Sequence, residues 1–429
     1  ALPLVIESIR NYTDEFSSQG GFESHVTGFA AIFADLFKAF GGIDSTLLYW
    51  TLGIVALILI VVYRSPILWI LPLFSALMAE SLAGAVIYTL AKNDILTLDG
   101  QSQGILSVLV IGAATDYALL LIARYREELH HHESKYDAMR IALRGVVEPI
   151  IASGMTVTIG LLVLILSELK NNRSLGPVGA IGIVASMITI LTLLPALLIL
   201  FGRWIFWPRI PRHDDIDEKL TGAWAKVANA TARNPRKYAI VTSIILLVMA
   251  GFITTLKASG ISTLEGFTKK PKSLIGQELL LEHFPGGQNQ PTQLIVAKDK
   301  SEEIIAAVSK IDGVASVTPE ILDPANPTVI ENGGRIVLDA TLEVPADSNA
   351  GRALVPQIRE AAHAIDDAAL VGGISATFYD VDVASERDRN LIIPIVLLII
   401  AVILALLLRS IVAALILLVT VVLSFAATL

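Results

Sequence analysis

Cysteine does not occur in the chain, which excludes disulfides, thiolate metal sites and cysteine nucleophiles. Charge is scarce as well. Only 17% of the 429 residues are Asp, Glu, Lys or Arg, against roughly 25% in a water-soluble domain. There is no Walker loop of the form GxxxxGK(S/T), so ATP-driven work by this chain has no support, and HExxH is absent. Lys and Arg nowhere line one face with interleaved aromatics, so nucleic acid is not an expected partner. No residue set calls for a cofactor or a resident metal. His130-His131-His132 cannot all face one ion from a helix, and a solvated face is the better reading.

What fills the chain is apolar. Hydrophobic residues make up 54% of it, concentrated in runs such as 47–63, 67–91 and 391–408. Runs near twenty residues match a hydrocarbon slab of about 30 Å at 1.5 Å per helical residue. The chain therefore reads as a polytopic α-helical membrane protein with eight spans, near 47–63, 67–91, 104–122, 149–167, 176–201, 238–256, 391–408 and 411–429. Orientation follows from Lys and Arg in the short loops. Fifteen of them, from Arg64 through Arg124, Arg126 and Arg203 to Arg409, fall on one side, and Lys92, Lys170 and Arg173 on the other. The first side is thus expected to be cytoplasmic. Trp204 and Trp207, beside Arg203 and Arg209, mark an interfacial belt, and the linker 202–237 is expected to lie along the inner surface as an amphipathic segment. The spans fall in 46–201, 238–256 and 390–429, which leaves 1–45 and 257–389 outside. With Ala1 first, no export signal, and Leu429 inside an apolar run, the chain is expected to be a piece of a longer protein, with an anchoring span upstream.

The outer segment 257–389 has the grammar of a mixed fold. Strands are expected at 293–298, 314–320, 335–344 and 374–379, with helices at 301–311 and 350–365. That order, β-α-β-β-α-β, is the split βαβ or ferredoxin-like unit, interrupted midway by the turn residues Pro324, Asn326 and Pro327. The N-terminal piece repeats its end. A helical stretch at 5–16 precedes Gly20-Gly21-Phe22 and a strand through Val26, as Gly372-Gly373-Ile374 precedes the last strand. Arg64-Ser65 after one apolar run is matched by Arg409-Ser410 after another. The chain is therefore expected to be internally duplicated, each half an external α+β domain followed by a helix bundle.

Ionisable residues inside the spans point to function. Asp116 sits mid-span in Gly112-Ala113-Ala114-Thr115-Asp116-Tyr117. A carboxylate at that depth costs about 2.5–3.5 kcal/mol on insertion scales, so it is expected to face the bundle interior, to pair or to take up a proton. Tyr117 follows with a hydroxyl suited to relaying that proton. Ser153, Thr156 and Thr158 on the next span are candidate neighbours, or helix-packing hydroxyls. Glu80 is a second mid-span carboxylate, facing either Asp116 or the lumen.

Those residues and their surroundings, with Ala123-Arg124-Tyr125-Arg126-Glu127-Glu128-Leu129 after the Asp-Tyr pair and Val62-Tyr63-Arg64-Ser65-Pro66 ending a span, resemble the MmpL family of resistance-nodulation-division exporters. The resemblance implies twelve spans, two external porter domains, a bacterial plasma membrane location, and export of lipids, siderophores or hydrophobic drugs against a proton gradient. It implies protons and an amphiphilic molecule as partners, with a homo-oligomer or accessory export proteins possible, and no enzyme activity. It gives each half a proton-relaying Asp-Tyr pair. Asp116 and Tyr117 match the first, and the second would fall beyond Leu429. A SecD/SecF-like motor or a sterol-sensing Patched-like protein shares the architecture and stays open as an alternative. An intramembrane aspartyl protease needs two catalytic Asp residues and a Gly-x-Gly-Asp context, which Ala113-Ala114-Thr115-Asp116 does not supply.

Overall fold

The alternating apolar residues of 335–342 become a strand in the computed structural model, which describes residues 2–21, 23–40, 43–98, 100–211, 223–255, 270–321 and 329–428. Helices come first along the chain: α1 (Leu2–Gly20), α2 (Phe29–Phe40), α3 (Ile43–Tyr63), α4 (Ile70–Lys92), α5 (Gly100–His131), α6 (Lys135–Leu162), α7 (Lys170–Phe201), α8 (Ala223–Arg233), α9 (Pro235–Gly251) and α10 (Lys272–His283). Strands β1 (Thr292–Ala297), β2 (Val314–Pro319), β3 (Glu331–Asn332), β4 (Arg335–Leu342) and β5 (Leu370–Gly372) are interleaved with α11 (Ser301–Val308) and α12 (Asn349–His363). Helices α13 (Ile374–Leu408) and α14 (Ile411–Thr428) follow. The chain divides into two compact units, one made of Ala1–Ile43 and Lys257–Glu386, the other of Asp44–Leu256 and Arg387–Leu429.

In the first unit the sheet order is β2-β4-β1-β5, every neighbour antiparallel, with β3 beside β4. Leu294 stands opposite Leu338 and Val296 opposite Ile336. These four are buried with Ile304 and Val308 of α11 and Ile358 and Ala362 of α12. A period of two on the strands and of about four on the helices brings them to one side of the sheet. Ser348 opens α12, its Oγ accepting the Gly351 N–H at 3.1 Å. Replacing Ser348 with Ala should cost about 1 kcal/mol. The measurable consequence is faster amide exchange in the first turn of α12; unchanged exchange there would contradict the capping role.

Two local expectations change, and one grouping is added to them. The closing strand is Leu370–Gly372, not 374–379. Gly373 ends it at φ +94°, where a Cβ would lie 2.7 Å from the Pro291 carbonyl oxygen. Residues 374–379 instead begin α13, because helix propagation out of the long apolar run outweighs the weak strand preference of Ile374, Thr377, Phe378 and Tyr379. At the N-terminus, α1 runs on to Gly20 and 23–27 forms no strand, while Phe22 lies outside the described residues, as do Pro324, Asn326 and Pro327. Finally, residues 1–43 share a unit with 257–386. Arg10 of α1 donates to both carboxylate oxygens of Asp35 on α2 at 2.7 Å, and Ser273 Oγ of α10 donates to the same carboxylate at 2.6 Å. Thr27 adds a hydroxyl bond to the Ser273 carbonyl at 2.7 Å. Helix α10 is thereby fastened to α1 and α2.

In the second unit α4, α5, α6 and α7 pack on one another, and α9 packs on α14. Ala76, Ala79 and Ala83 of α4 are wholly buried. On α7, Gly182 comes so close to α5 that a Cβ would lie 2.6 Å from Leu106 and 2.7 Å from Val110. Small residues let helix backbones approach where lipid supplies no hydrophobic drive between them. Among the described residues, seven helices are long and apolar enough to cross a membrane, and Leu48–Tyr63 of α3 is a shorter apolar helix. One local turn occurs twice. Arg64 and Arg409 both have positive φ, 52° and 51°, and each is followed by a serine whose hydroxyl accepts the N–H three residues on. Ser65 Oγ accepts the Leu68 N–H at 3.2 Å, and Ser410 Oγ the Ala413 N–H at 3.3 Å.

Candidate functional site

Helix α5 is covered by α4, α6 and α7 on part of its surface only. Ala114, Tyr117, Ala118 and Leu121 are buried. Asp116, Leu120, Ala123 and Glu127, spaced four, three and four apart, are exposed. At 100° per residue these four form one strip turned away from the covering helices. Asp116 therefore does not face the interior of the α4–α7 bundle, as its cost in lipid had suggested. The helical repeat decides this, since burying Tyr117 and Ala114 turns the carboxylate to the open side. Asp116 makes no hydrogen bond or ion pair among the described residues.

Tyr117 is buried, and its hydroxyl lies beside Ser153 on α6. The structure thus joins three of the expected site residues: Asp116 and Tyr117 as neighbours on α5, and Ser153 opposite. Thr156 is not part of that contact, since its Oγ1 donates to the Ala152 carbonyl of its own helix at 2.7 Å. Thr158 is buried on α6 with its hydroxyl unpartnered among the described residues. Glu80 is not at the site either. Its carboxylate on α4 accepts the Ser107 hydroxyl of α5. Ser107 precedes Asp116 by nine positions, which is about 13.5 Å along the helix and half a turn around it.

Residues that sequence reasoning passed over secure the ends of this bundle. Arg203 donates to the carbonyls of Leu129 and Pro211 at 2.8 Å and of His132 at 2.5 Å, a cation on the C-terminal end of α5 where the helix dipole favours one. Glu128 is 5% exposed and takes Arg124 at 2.7 Å and His132 at 3.4 Å. His132 is accounted for by that contact, and no group of His, Asp and Glu among the described residues is arranged to hold a metal ion. Asp388, 4% exposed, accepts the Ser167 hydroxyl and the Glu168 N–H, while Arg387 pairs with Glu168 at 2.7 Å. Its only local signal was a run of charges ahead of an apolar segment, because the partner lies 221 residues away. In the first unit a separate open cavity of about 670 Å³ is lined by Asp14, Ser17, Glu23, His25 and Lys272, within the size range of small-ligand clefts.

The model of the MMPL family matches residues 4–238 and 267–429. The membrane protein ActII-3 of Streptomyces coelicolor is 44% identical over 414 residues, covering 96% of this chain and 57% of that protein. The apo-petrobactin exporter of Bacillus anthracis is 32% identical over 436 residues, covering 96% of this chain and 58% of its own length. The sulfolipid-1 exporter MmpL8 of Mycobacterium tuberculosis is 29% identical over 308 residues, 68% of this chain and 27% of that protein. The chain thus spans somewhat more than half the length of the first two relatives.

Proposed function

The chain belongs to the MMPL family, and on that premise we propose that it forms part of a proton-driven exporter of amphiphilic molecules, lipids or siderophores above all, in a bacterial plasma membrane. The petrobactin and sulfolipid exporters among its relatives support that cargo class. In this reading eight spans of an expected twelve lie in the chain, the sheet-bearing unit is a ferredoxin-like porter domain on the outer side, and the twice-used Arg-Ser turn reflects duplication of one half into the other. The observation that carries the reading is the Asp116–Tyr117–Ser153 arrangement: a carboxylate without a partner among the described residues, on a helix apolar enough to span the membrane, beside a buried phenol that lies next to a hydroxyl on the following helix.

A carboxylate left against lipid would be costly, so the open strip of α5 is where a further helix, carrying a second Asp-Tyr pair, seats in the working protein. Protonation of Asp116 removes a charge from that seam and changes the relative stability of two arrangements of the helices. One charge crossing 100 mV gains about 2.3 kcal/mol, enough to shift a two-state equilibrium more than tenfold. In vesicles containing the full-length protein, export of a labelled siderophore or lipid should stop when a protonophore collapses the gradient and should be indifferent to ATP depletion at a clamped gradient. Export that survives the protonophore would remove proton coupling.

A further inference from the structure

Two tyrosines at the Arg-rich end of the bundle are buried without use. Tyr125 is 0% exposed and Tyr63 9% exposed, and neither hydroxyl has a hydrogen-bond partner among the described residues. A buried phenol without a partner forfeits the water it leaves behind, so such groups in native proteins are normally met by an internal water. The two share one neighbourhood. Ser65, two residues after Tyr63, donates to the Ile205 carbonyl at 3.0 Å, and the ring of Phe206, the next residue, lies 6.2 Å from that of Tyr125. Both tyrosines belong to the same buried cluster as Tyr117.

The placement of Tyr125 on α5 gives the site a direction. Tyr117, Leu121, Tyr125 and Glu128 follow one another at steps of four, four and three, one ridge of the helix. Tyr117 and Tyr125 are about 12 Å apart along the axis, and because both side chains lean toward the N-terminus the same separation holds between their hydroxyls, a gap for internal water to bridge. Beyond Tyr125 stands Glu128, a nearly buried carboxylate held by Arg124 and His132 at the end of the helix. Unpaired hydroxyls on one side and an anchored acid on the other are what a short water-filled passage needs.

We propose that Tyr125 and Tyr63 line an internal water site that carries protons between Tyr117 and Glu128, so that Glu128 is the port of the relay on the Arg-rich side. This rests on the reading of Asp116 and Tyr117 as a proton relay. Each proton taken from the Tyr117 end is matched by one released at Glu128 as the hydrogen bonds of the passage reverse, with no net charge left inside. Leu121, wholly buried and placed between Tyr117 and Tyr125 on that ridge, makes the passage narrow. Tyr63 and Tyr125 position water and are not themselves required to ionise.

The test uses the full-length protein in vesicles, with export-driven proton flux and thermal stability both measured for Tyr125→Phe, Tyr63→Phe and the double variant. Phenylalanine keeps the ring and its contacts and removes only the orphan hydroxyl. If the passage exists, the double variant melts at or above the wild-type temperature while proton flux falls at least tenfold. Wild-type flux in a folded double variant overturns the passage, because a dry pair of phenols would only gain stability from the change. Asp116→Asn separates the two ideas. Flux lost there but kept in the double variant leaves the relay standing and removes the passage, and flux kept in both removes the relay together with it. Should the double variant not fold, radiolytic hydroxyl labelling of the wild-type protein decides: modification of Tyr125 and Tyr63 is expected beside a bound water, and protection of both overturns the site.

Discussion

Asp116→Asn in the full-length protein should abolish export, lowering it at least roughly fortyfold, which is the factor corresponding to about 2.3 kcal/mol for one charge across 100 mV. Asparagine has nearly the same shape and costs less than a carboxylate at membrane depth, so expression and helix assembly should be unaffected or improved. It cannot take up and release a proton. Among the described residues Asp116 has no hydrogen-bond or ionic partner to strand, across the proposed seam asparagine still offers a carbonyl acceptor, and Tyr117 keeps its place beside Ser153. The loss would therefore report protonation and not damage. Export by the variant within twofold of wild type, at equal amounts of membrane-inserted protein, would end the relay role of Asp116.

Asp35→Ala should have the largest effect on stability, about 3 kcal/mol, felt in the unit that contains α1, α2 and α10. The carboxylate is 8% exposed and receives two hydrogen bonds from Arg10 and one from Ser273, which is itself wholly buried. Removing it strands a guanidinium and a hydroxyl together, and breaking one partner of a buried pair typically costs about 3–5 kcal/mol; residual exposure of Arg10 argues for the lower figure. Burial pushes the Asp35 carboxyl up, but the hydrogen bonds and charge of Arg10 and the Ser273 hydroxyl outweigh it and hold the carboxyl below its ordinary value. A lowered folded-state value means that the pair contributes fully above the unfolded carboxylate pKa of about 3.9 and is lost as pH falls through the folded value. Amide exchange in α1, α2 and α10 should accelerate on acidification below about pH 4 in the wild type, and should be fast already at neutral pH in the variant. Equal exchange in both proteins at pH 7 would show that the triad holds nothing together.

The membrane class, the helices and the Asp116–Tyr117 pair were legible because each depends on residues close in sequence. A run near twenty apolar residues must satisfy its backbone internally whatever surrounds it, and a carboxylate within such a run is anomalous wherever the neighbours lie. Strand limits were less legible. The alternation of Ile336, Leu338, Ala340 and Leu342 marked β4, whereas 374–379 carried strand-forming residues that a following apolar helix drew into α13. Thr156 and Glu80 were read near Asp116 because helix order says which spans are neighbours and nothing about rotation.

Composition and run length thus settled by themselves that this is a multi-span membrane protein and which acid stands out, while the motifs around Asp116 carried the resemblance to the family that the whole-chain match shows. Tertiary structure alone decided that Asp116 lies on the open strip of α5, that Tyr117 lies beside Ser153 while Thr156 turns back on its own helix, that Glu80 belongs with Ser107, that Asp35 is tied to Ser273 as well as to Arg10, and that Asp388 is held by Ser167 from far along the chain. The physical reason is one of range. Hydropathy and helix formation act within a few turns of chain, but the face a residue presents is fixed by close approaches such as Gly182 on Leu106 and Val110, and those depend on how side chains far apart in sequence fit.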